Sequence, residues 1–336
     1  MISRQTTNIT QGGETGRKGV ELALDEIKSE VRRVIPQLTD ECYKGQCGKV
    51  AVLGGCSEQA GPAYFAAMAA LKAGADIAHV FCASGAASTI TGYSPELRVH
   101  PYLSELTDFR GSGGLSEEGR AAAAESAAAE RTTRSGACTK RTYHAHTRAR
   151  DAGLPRALLL VARELELIVG YPLCLLTPSL NEFRRLASTM GASLLSSHSD
   201  RIKKLHQLVS QLQGPILVSK GPLDVVCDTR NTVVVSMAGG ARRCSSQGDI
   251  LCGVLAAFVA WTRGFVAEGE KRGDDVRLEM NQMTLAAFGG CSVTRMACAC
   301  AHAAKRRSMI ASDMLDYIGS SVDLLVGEGE GLNPKP

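Results

Sequence analysis

The strand-like run NTVVVSMAGG leads into the turn ARRCSSQGD and then into the apolar run ILCGVLAAFVAW, so Gln247, Gly248 and Asp249 stand where a helix begins. A helix start gathers N–H groups that lack intrahelical acceptors, together with the positive end of the helix dipole, at one point where a phosphate can sit. An aspartate at that point can take the proton of a substrate hydroxyl as it attacks phosphorus. It can equally serve as a plain helix cap that satisfies the amides, and the local pattern alone weighs these two readings evenly. Neither a Walker A run nor a G-x-G-x-x-G fingerprint occurs in the chain, which disfavours a P-loop NTPase and a standard dinucleotide-binding Rossmann domain.

Other reactive side chains gather less convincingly. Cys298, Cys300 and His302 are spaced by two, which on a helix points them to different sides rather than at one metal ion. No metal-ligating residue is predicted. The chain holds 12 cysteines, scattered through apolar runs such as HVFCAS and DILCG, the pattern of buried reduced thiols rather than of a disulfide framework.

These groups need elements to hold them. In RKGVELALDEIKSEVRRVIP the apolar residues Val20, Leu24, Ile27, Val31 and Val34 recur every three or four positions, which predicts a one-faced helix stopped by Pro36. KVAVLGG predicts a strand, the Ala-rich stretch from Gly61 to Gly74 a helix, and DIAHVFCA a second strand, together a βαβ unit of a parallel sheet. A further strand is predicted to end at Thr177 before a helix. GPILVSKGPLDVVCD and NTVVVSMAGG supply three more short strands. Three helices close the chain: Asp249 to Gly264, about Glu279 to Lys305, and Ser312 to Leu325 with Ser312 as its N-cap.

With 336 residues, 44% of them hydrophobic, the chain can fill the core of one large α/β domain or of two modest ones. Its net charge of +4 is mild and interspersed, so nucleic acid is not an expected partner. No continuous apolar run approaches the ~20 residues that span a bilayer, and MISRQTTNITQGG lacks the apolar core of a secretory signal, so no membrane and a cytosolic address are expected. Between residues 104 and 150 the composition turns to GSGGLSEEGRAAAAESAAAERTTRSGACTKRTYHAHTRAR, too poor in large apolar groups to offset its ordering entropy. This stretch is predicted to be a low-complexity, disordered insertion, with an Ala-rich helix as the lesser possibility, and its His144 and His146 are read as solvated. The domain organisation that follows is an extension over 1–33 with one amphipathic helix, a domain over 34–327 interrupted at 104–150, and a tail at 328–336.

Several separate windows, in order and with agreeing spacing, resemble one family. KGQCGKVAVLGGCSEQAGPAYFAAMAALKAGADIAHVFCAS, YSPELRVHP, LTPSLNEFRRL, VSKGPLDVV, ARRCSSQGDILCG and LAAFGGCSVTRMACACAHA are similar to the successive motifs of the ATP-dependent NAD(P)H-hydrate dehydratases, members of the ribokinase-like superfamily. The resemblance implies a three-layer α/β fold with a mainly parallel central sheet flanked by helices. It also implies a lyase of metabolite repair, in which ATP phosphorylates the hydroxyl of a hydrated nicotinamide ring and phosphate then leaves to regenerate NADH or NADPH. Carried onto this chain, Asp249 is the base and the amides of Gln247, Gly248 and Asp249 hold the transferring phosphoryl group. Lys220, Gly221, Arg243, Ser245 and Ser246 lie on the ATP side, and Mg²⁺ bridges the phosphates. Gly61, Tyr64, Glu182 and Asp249 lie on the substrate side. The bland alternatives are a solvated strand-end Lys220, a half-buried aromatic at Tyr64 and a first-turn helix carboxylate at Glu182.

The chain departs from the family pattern in three places. Ser245 and Ser246 replace a glycine pair before QGD, which narrows the backbone conformations open to that turn. Leu180 takes a polar or His position. A mid-chain strand with a GPGLG turn and a following strand with a DADGL-like motif are missing, DAGL at Asp151–Leu154 being a remnant of the second, so a break in the sheet's hydrogen bonding is expected. Two other functions stay open at this point: a ribokinase-like small-molecule kinase that releases its phosphorylated product, and a non-catalytic nucleotide-binding relative. A homo-oligomer is compatible with the sequence and not specified by it.

Overall fold

The computed structural model describes residues 24–103, 158, 165–191, 198–274 and 278–327. The 104–150 stretch, the DAGL remnant, the start of the N-terminal extension and the C-terminal tail lie outside the described residues, as do His144 and His146. In chain order the elements are α1 (Leu24–Val34), β1 (Lys49–Leu53), α2 (Gly61–Ala73), β2 (Ile77–Ala83), α3 (Ser84–Tyr93), β3 (Arg98–Leu103), β4 (Leu175–Leu176), α4 (Leu180–Thr189), α5 (His198–Leu212), β5 (Ile216–Ser219), β6 (Asp224–Cys227), β7 (Thr232–Val235), α6 (Gln247–Arg272), α7 (Gln282–Lys305), α8 (Ala311–Leu315) and α9 (Ile318–Val326).

The strands form two sheets, one ordered β1-β2-β3 and one β4-β5-β6-β7. The first is parallel throughout, with Lys49 opposite Ile77 and Leu53 opposite Phe81. In the second, β4 runs parallel to β5, while β5, β6 and β7 alternate in direction as two tight hairpins. Among the described residues no strand joins β1 to β4. The segment in which the missing central strands were expected lies outside the described residues.

Side chains nevertheless close over both sheets. Period-two alternation sends Ile216, Val218, Val226, Val233 and Val235 to one face of the second sheet, where they join Val50, Val52, Ala78 and Val80 of the first in a common core with α2, α6 and α7. The alternate residues Leu217, Val225 and Cys227 face the other way, onto Phe183 and Leu186 of α4 and Leu205, Leu208 and Leu212 of α5. That is the three-layer arrangement: helices, sheet, helices. Each fully buried Val or Leu of these layers contributes roughly 1.5–3 kcal/mol over its exposed state.

Helices α6 and α7 are the axis of the common core. By length and composition alone both are apolar enough to cross a membrane, but 61% and 78% of their most apolar windows are buried inside the protein. The expectation of no such span understated them, because scattered Gly, Thr and Cys residues break the apolar run in sequence without breaking the helix. The closing helix also needs correction. It divides into α8 and α9, and Ser312 lies inside α8 rather than capping it, while the Asp313 carboxylate accepts from the Ile310 amide at 2.8 Å.

Candidate active site

Asp249 occupies the third position of α6 and is 1% exposed. Ser246 caps the helix in the left-handed region, at φ 63° and ψ 3°, and its carbonyl accepts from the amides of Asp249 and Ile250 at 3.1 and 3.0 Å. The Asp249 amide is thus spent inside the first turn. The amides of Gln247 and Gly248, at the first and second positions, have no acceptor within the helix. The turn before them is fixed from both ends. Gln247 Nε2 donates to the Arg242 carbonyl at 3.1 Å and contacts Cys298 Sγ at 3.6 Å, and Arg243 Nη1 donates to the Gly240 carbonyl at 2.6 Å. Gly240 lies so close to α7 that a Cβ there would stand 2.7 Å from the Cys298 carbonyl oxygen. Cys298 therefore supports the turn, and burial pushes the neighbouring Cys244 thiol up, which keeps it neutral.

Left-handed backbone at a residue with a Cβ costs roughly 1–2 kcal/mol, the consequence of a serine standing where the family has glycine. Ser246→Gly is accordingly expected to stabilise the protein by about 1 kcal/mol, read as a rise in the midpoint of thermal unfolding. An unchanged or lowered midpoint would show that the Ser246 side chain compensates for its own backbone.

Lys220 and Gly221, expected on the ATP side, sit in the β5–β6 turn. Three residues that the sequence reading did not single out hold this turn: Arg295 of α7, Asp224 of β6 and Arg201 of α5. The signal for the first was available, since Arg295 is the single charge within FGGCSVTRMACACA.

Of the residues expected on the substrate side, Gly61 opens α2 and Tyr64 lies one turn further on, its ring 5.2 Å from that of Tyr93 and 5.3 Å from that of Phe65. Partial burial, and then the nearby Glu96 carboxylate, raise the Tyr64 hydroxyl above its usual pKa, so it stays a hydrogen-bond donor. Glu182 takes part in a capping box: its carboxylate accepts from the Ser179 amide at 2.8 Å and Ser179 Oγ accepts from the Glu182 amide at 3.4 Å. It has a structural task whatever else it does. The loop leading to it is tied to α6 by a 3.6 Å contact between Thr177 Oγ1 and Cys252 Sγ, one turn beyond Asp249. Helix α2 also reaches α6 directly, through Gly253, where a Cβ would stand 2.0 Å from the Ala66 carbonyl oxygen.

Comparison with known proteins bears on this arrangement. Residues 50–128 and 156–320 match the sequence profile of a family described as NAD(P)H-hydrate dehydratase. The stretch that the match leaves out overlaps the low-complexity segment. The chain is 34% identical over 328 residues to the ATP-dependent (S)-NAD(P)H-hydrate dehydratase of Physcomitrium patens, covering 88% of this chain and 95% of that one. To the protein of the same name from Danio rerio it is 36% identical over 303 residues, covering 89% and 88%. Among solved structures, an ADP/ATP-dependent NAD(P)H-hydrate dehydratase from Bacillus subtilis, co-crystallised with ATP and Mg²⁺, superimposes with a TM-score of 0.55 at 15% identity over 89% of this chain and 97% of that chain. A ribokinase-like superfamily protein from Enterococcus faecalis gives 0.56 at 14% identity, over 89% of this chain and 94% of that one. At such identities the structural likeness speaks for the fold.

Proposed function

The chain belongs to the NAD(P)H-hydrate dehydratase family, and from that premise we propose that Asp249 and the first turn of α6 carry out ATP-dependent dehydration of hydrated NADH or NADPH. The single observation that carries the assignment of this site is a buried carboxylate at a helix start whose first two amides have no intrahelical acceptor. The reaction divides into two parts. The Asp249 carboxylate accepts the proton of the ring hydroxyl while that oxygen bonds to the terminal phosphorus of ATP and the bond to ADP breaks. Phosphate, a far better leaving group than hydroxide, then leaves from carbon with its C–O bond electrons, the neighbouring ring carbon gives up a proton to solvent, and that C–H electron pair becomes the regained double bond.

The amides of Gln247 and Gly248 face the charge that builds on the transferring group, with Lys220 and Arg243 approaching from the nucleotide side. Buried fixed dipoles are effective here because they need no reorganisation during the transfer. Among the described residues no group of three or more His, Cys, Asp or Glu side chains gathers to hold a metal ion. Magnesium bound with ATP would neutralise charge on the phosphates. Tyr64 and Gly61 at the start of α2, and the Thr177–Glu182 loop, border the side from which the hydrated nucleotide approaches.

The test follows absorbance at 340 nm, where the repaired nicotinamide absorbs and its hydrate does not. Protein, hydrated NADH, ATP and Mg²⁺ together are expected to give a rising signal that requires every component, with ADP and phosphate formed in equal amounts. A stable phosphorylated product in place of free phosphate would mark a small-molecule kinase instead. Bound ATP without turnover would mark a non-catalytic relative.

A further inference from the structure

Arg295 is the one guanidinium of α7 that reaches two ATP-side turns at once. Its Nε donates to the Met237 carbonyl at 2.6 Å, at the start of the turn that leads to Gln247. Its Nη1 donates to the Gly221 carbonyl at 3.3 Å, and its Nη2 to the Pro222 carbonyl, both in the β5–β6 turn beside Lys220. Gly239 lies just beyond, where a Cβ would be 3.6 Å from Nη2. The charge is balanced by Asp224, whose Oδ2 is 3.2 Å from Nη1, the two side chains being only 13% and 9% exposed. Asp224 in turn accepts from the Gly221 amide through Oδ1 at 2.9 Å.

The β5–β6 turn needs such help. Pro222 has no N–H to donate, and the described backbone–backbone bonds outside strands and helices include none within Lys220–Leu223. Its shape is set from outside by Arg295 and Asp224, with Arg201 of α5 donating through Nε to Ser219 Oγ at 2.8 Å and through Nη2 to the Ser219 carbonyl. A planar five-donor fork suits this task, because it fixes several acceptors in one plane where an ammonium holds one point.

We propose that Arg295 is a positioning residue that sets the spacing between the Lys220–Gly221 turn and the turn entering α6, and thereby the fit of ATP. The proposal rests on the ATP-dependent function given above. Its effect should fall on the nucleotide and spare the hydrated substrate, whose side of the site is built from α2 and the Thr177–Glu182 loop.

The experiment is titration calorimetry of Mg-ATP into the full chain, R295A and R295K, with thermal unfolding of each. The dissociation constant is expected to rise at least tenfold (~1.4 kcal/mol) in R295A and by less in R295K, while KM for the hydrate is unchanged. Millimolar guanidinium ion should restore part of the ATP affinity of R295A. R295K is expected to remain folded and carries the test if R295A does not. If the unaltered chain binds ATP and both variants match it, or if KM for the hydrate rises as steeply as the ATP constant, this role is overturned while the proposed function stands. If the unaltered chain binds no ATP, both fall together.

Discussion

Asp249→Asn is expected to leave ATP bound and to lower the rate of NADH formation by roughly a thousandfold, within the 10²–10⁴ that a positioned proton acceptor contributes. The amide keeps the size of the carboxylate and removes only its basicity. The two readings of Asp249 separate by which property the exchange lowers. If the residue is only a helix cap, the variant loses stability and keeps its rate. If it is the base, the variant loses its rate whatever its melting temperature. A single-turnover measurement of ADP formation beside a melting curve decides between them, and full activity in the variant would remove Asp249 from the chemistry.

How much of this was legible in the sequence depends on which forces act locally. The strand, turn and helix around QGD were readable because the period changes within one window, and β1, α2 and β2 were readable for the same reason. The strain at Ser246 was foreshadowed by the serines at a glycine position, but its left-handed backbone required the structure. Three elements were not read. β3 contains Pro101, which argues against a strand, yet among the described residues β3 pairs only with β2, and an edge strand tolerates a missing N–H. α3, SGAASTITGY, has too few large apolar residues to show a stripe, and it is positioned by packing Ala86 and Ile90 into the core. α5 packs Leu205, Leu208, Val209 and Leu212 beneath the second sheet, a contact that only tertiary structure supplies.

Helix α6 shows the opposite limit. The sequence reading ends it at Gly264, but the helix continues to Arg272 and stops at Gly273, whose φ of 77° is the left-handed cap that a glycine provides cheaply. A glycine ends a helix when the backbone must turn there, and at Gly264 it need not. Arg295 was passed over for a related reason. One charge in an apolar run reads as noise until the two turns it joins, distant in sequence, are seen side by side.

The two glycines within α6 are expected to respond in opposite directions to the same substitution. At Gly264 an added Cβ meets nothing within 4 Å. Gly264→Ala should therefore stabilise by about 0.5–1 kcal/mol, the difference in helix propensity between the two residues. At Gly253 the same methyl would stand 2.0 Å from the Ala66 carbonyl oxygen and 3.0 Å from the Ala69 Cβ. The oxygen belongs to the backbone of α2 and cannot rotate aside, so the helices must separate by on the order of 1 Å, at a cost of about 1–3 kcal/mol after the propensity gain is overcome.

The consequence for chemistry is larger than the loss of stability. Asp249 lies one turn before Gly253, while Gly61 and Tyr64 lie at the start of α2, so parting these helices moves the base away from the substrate side. A displacement of that size costs on the order of a hundredfold in rate. Gly253→Ala should thus lower the melting temperature by a few degrees and kcat by about two orders of magnitude, with ATP affinity nearly intact because Lys220 and Arg243 are carried by other elements. Removing the Ala66 side chain in the same protein should not restore activity, since the obstacle is its carbonyl. Recovery in that double variant, or a Gly253→Ala protein as active as the parent, would mean that the α2–α6 contact does not set the geometry of the site.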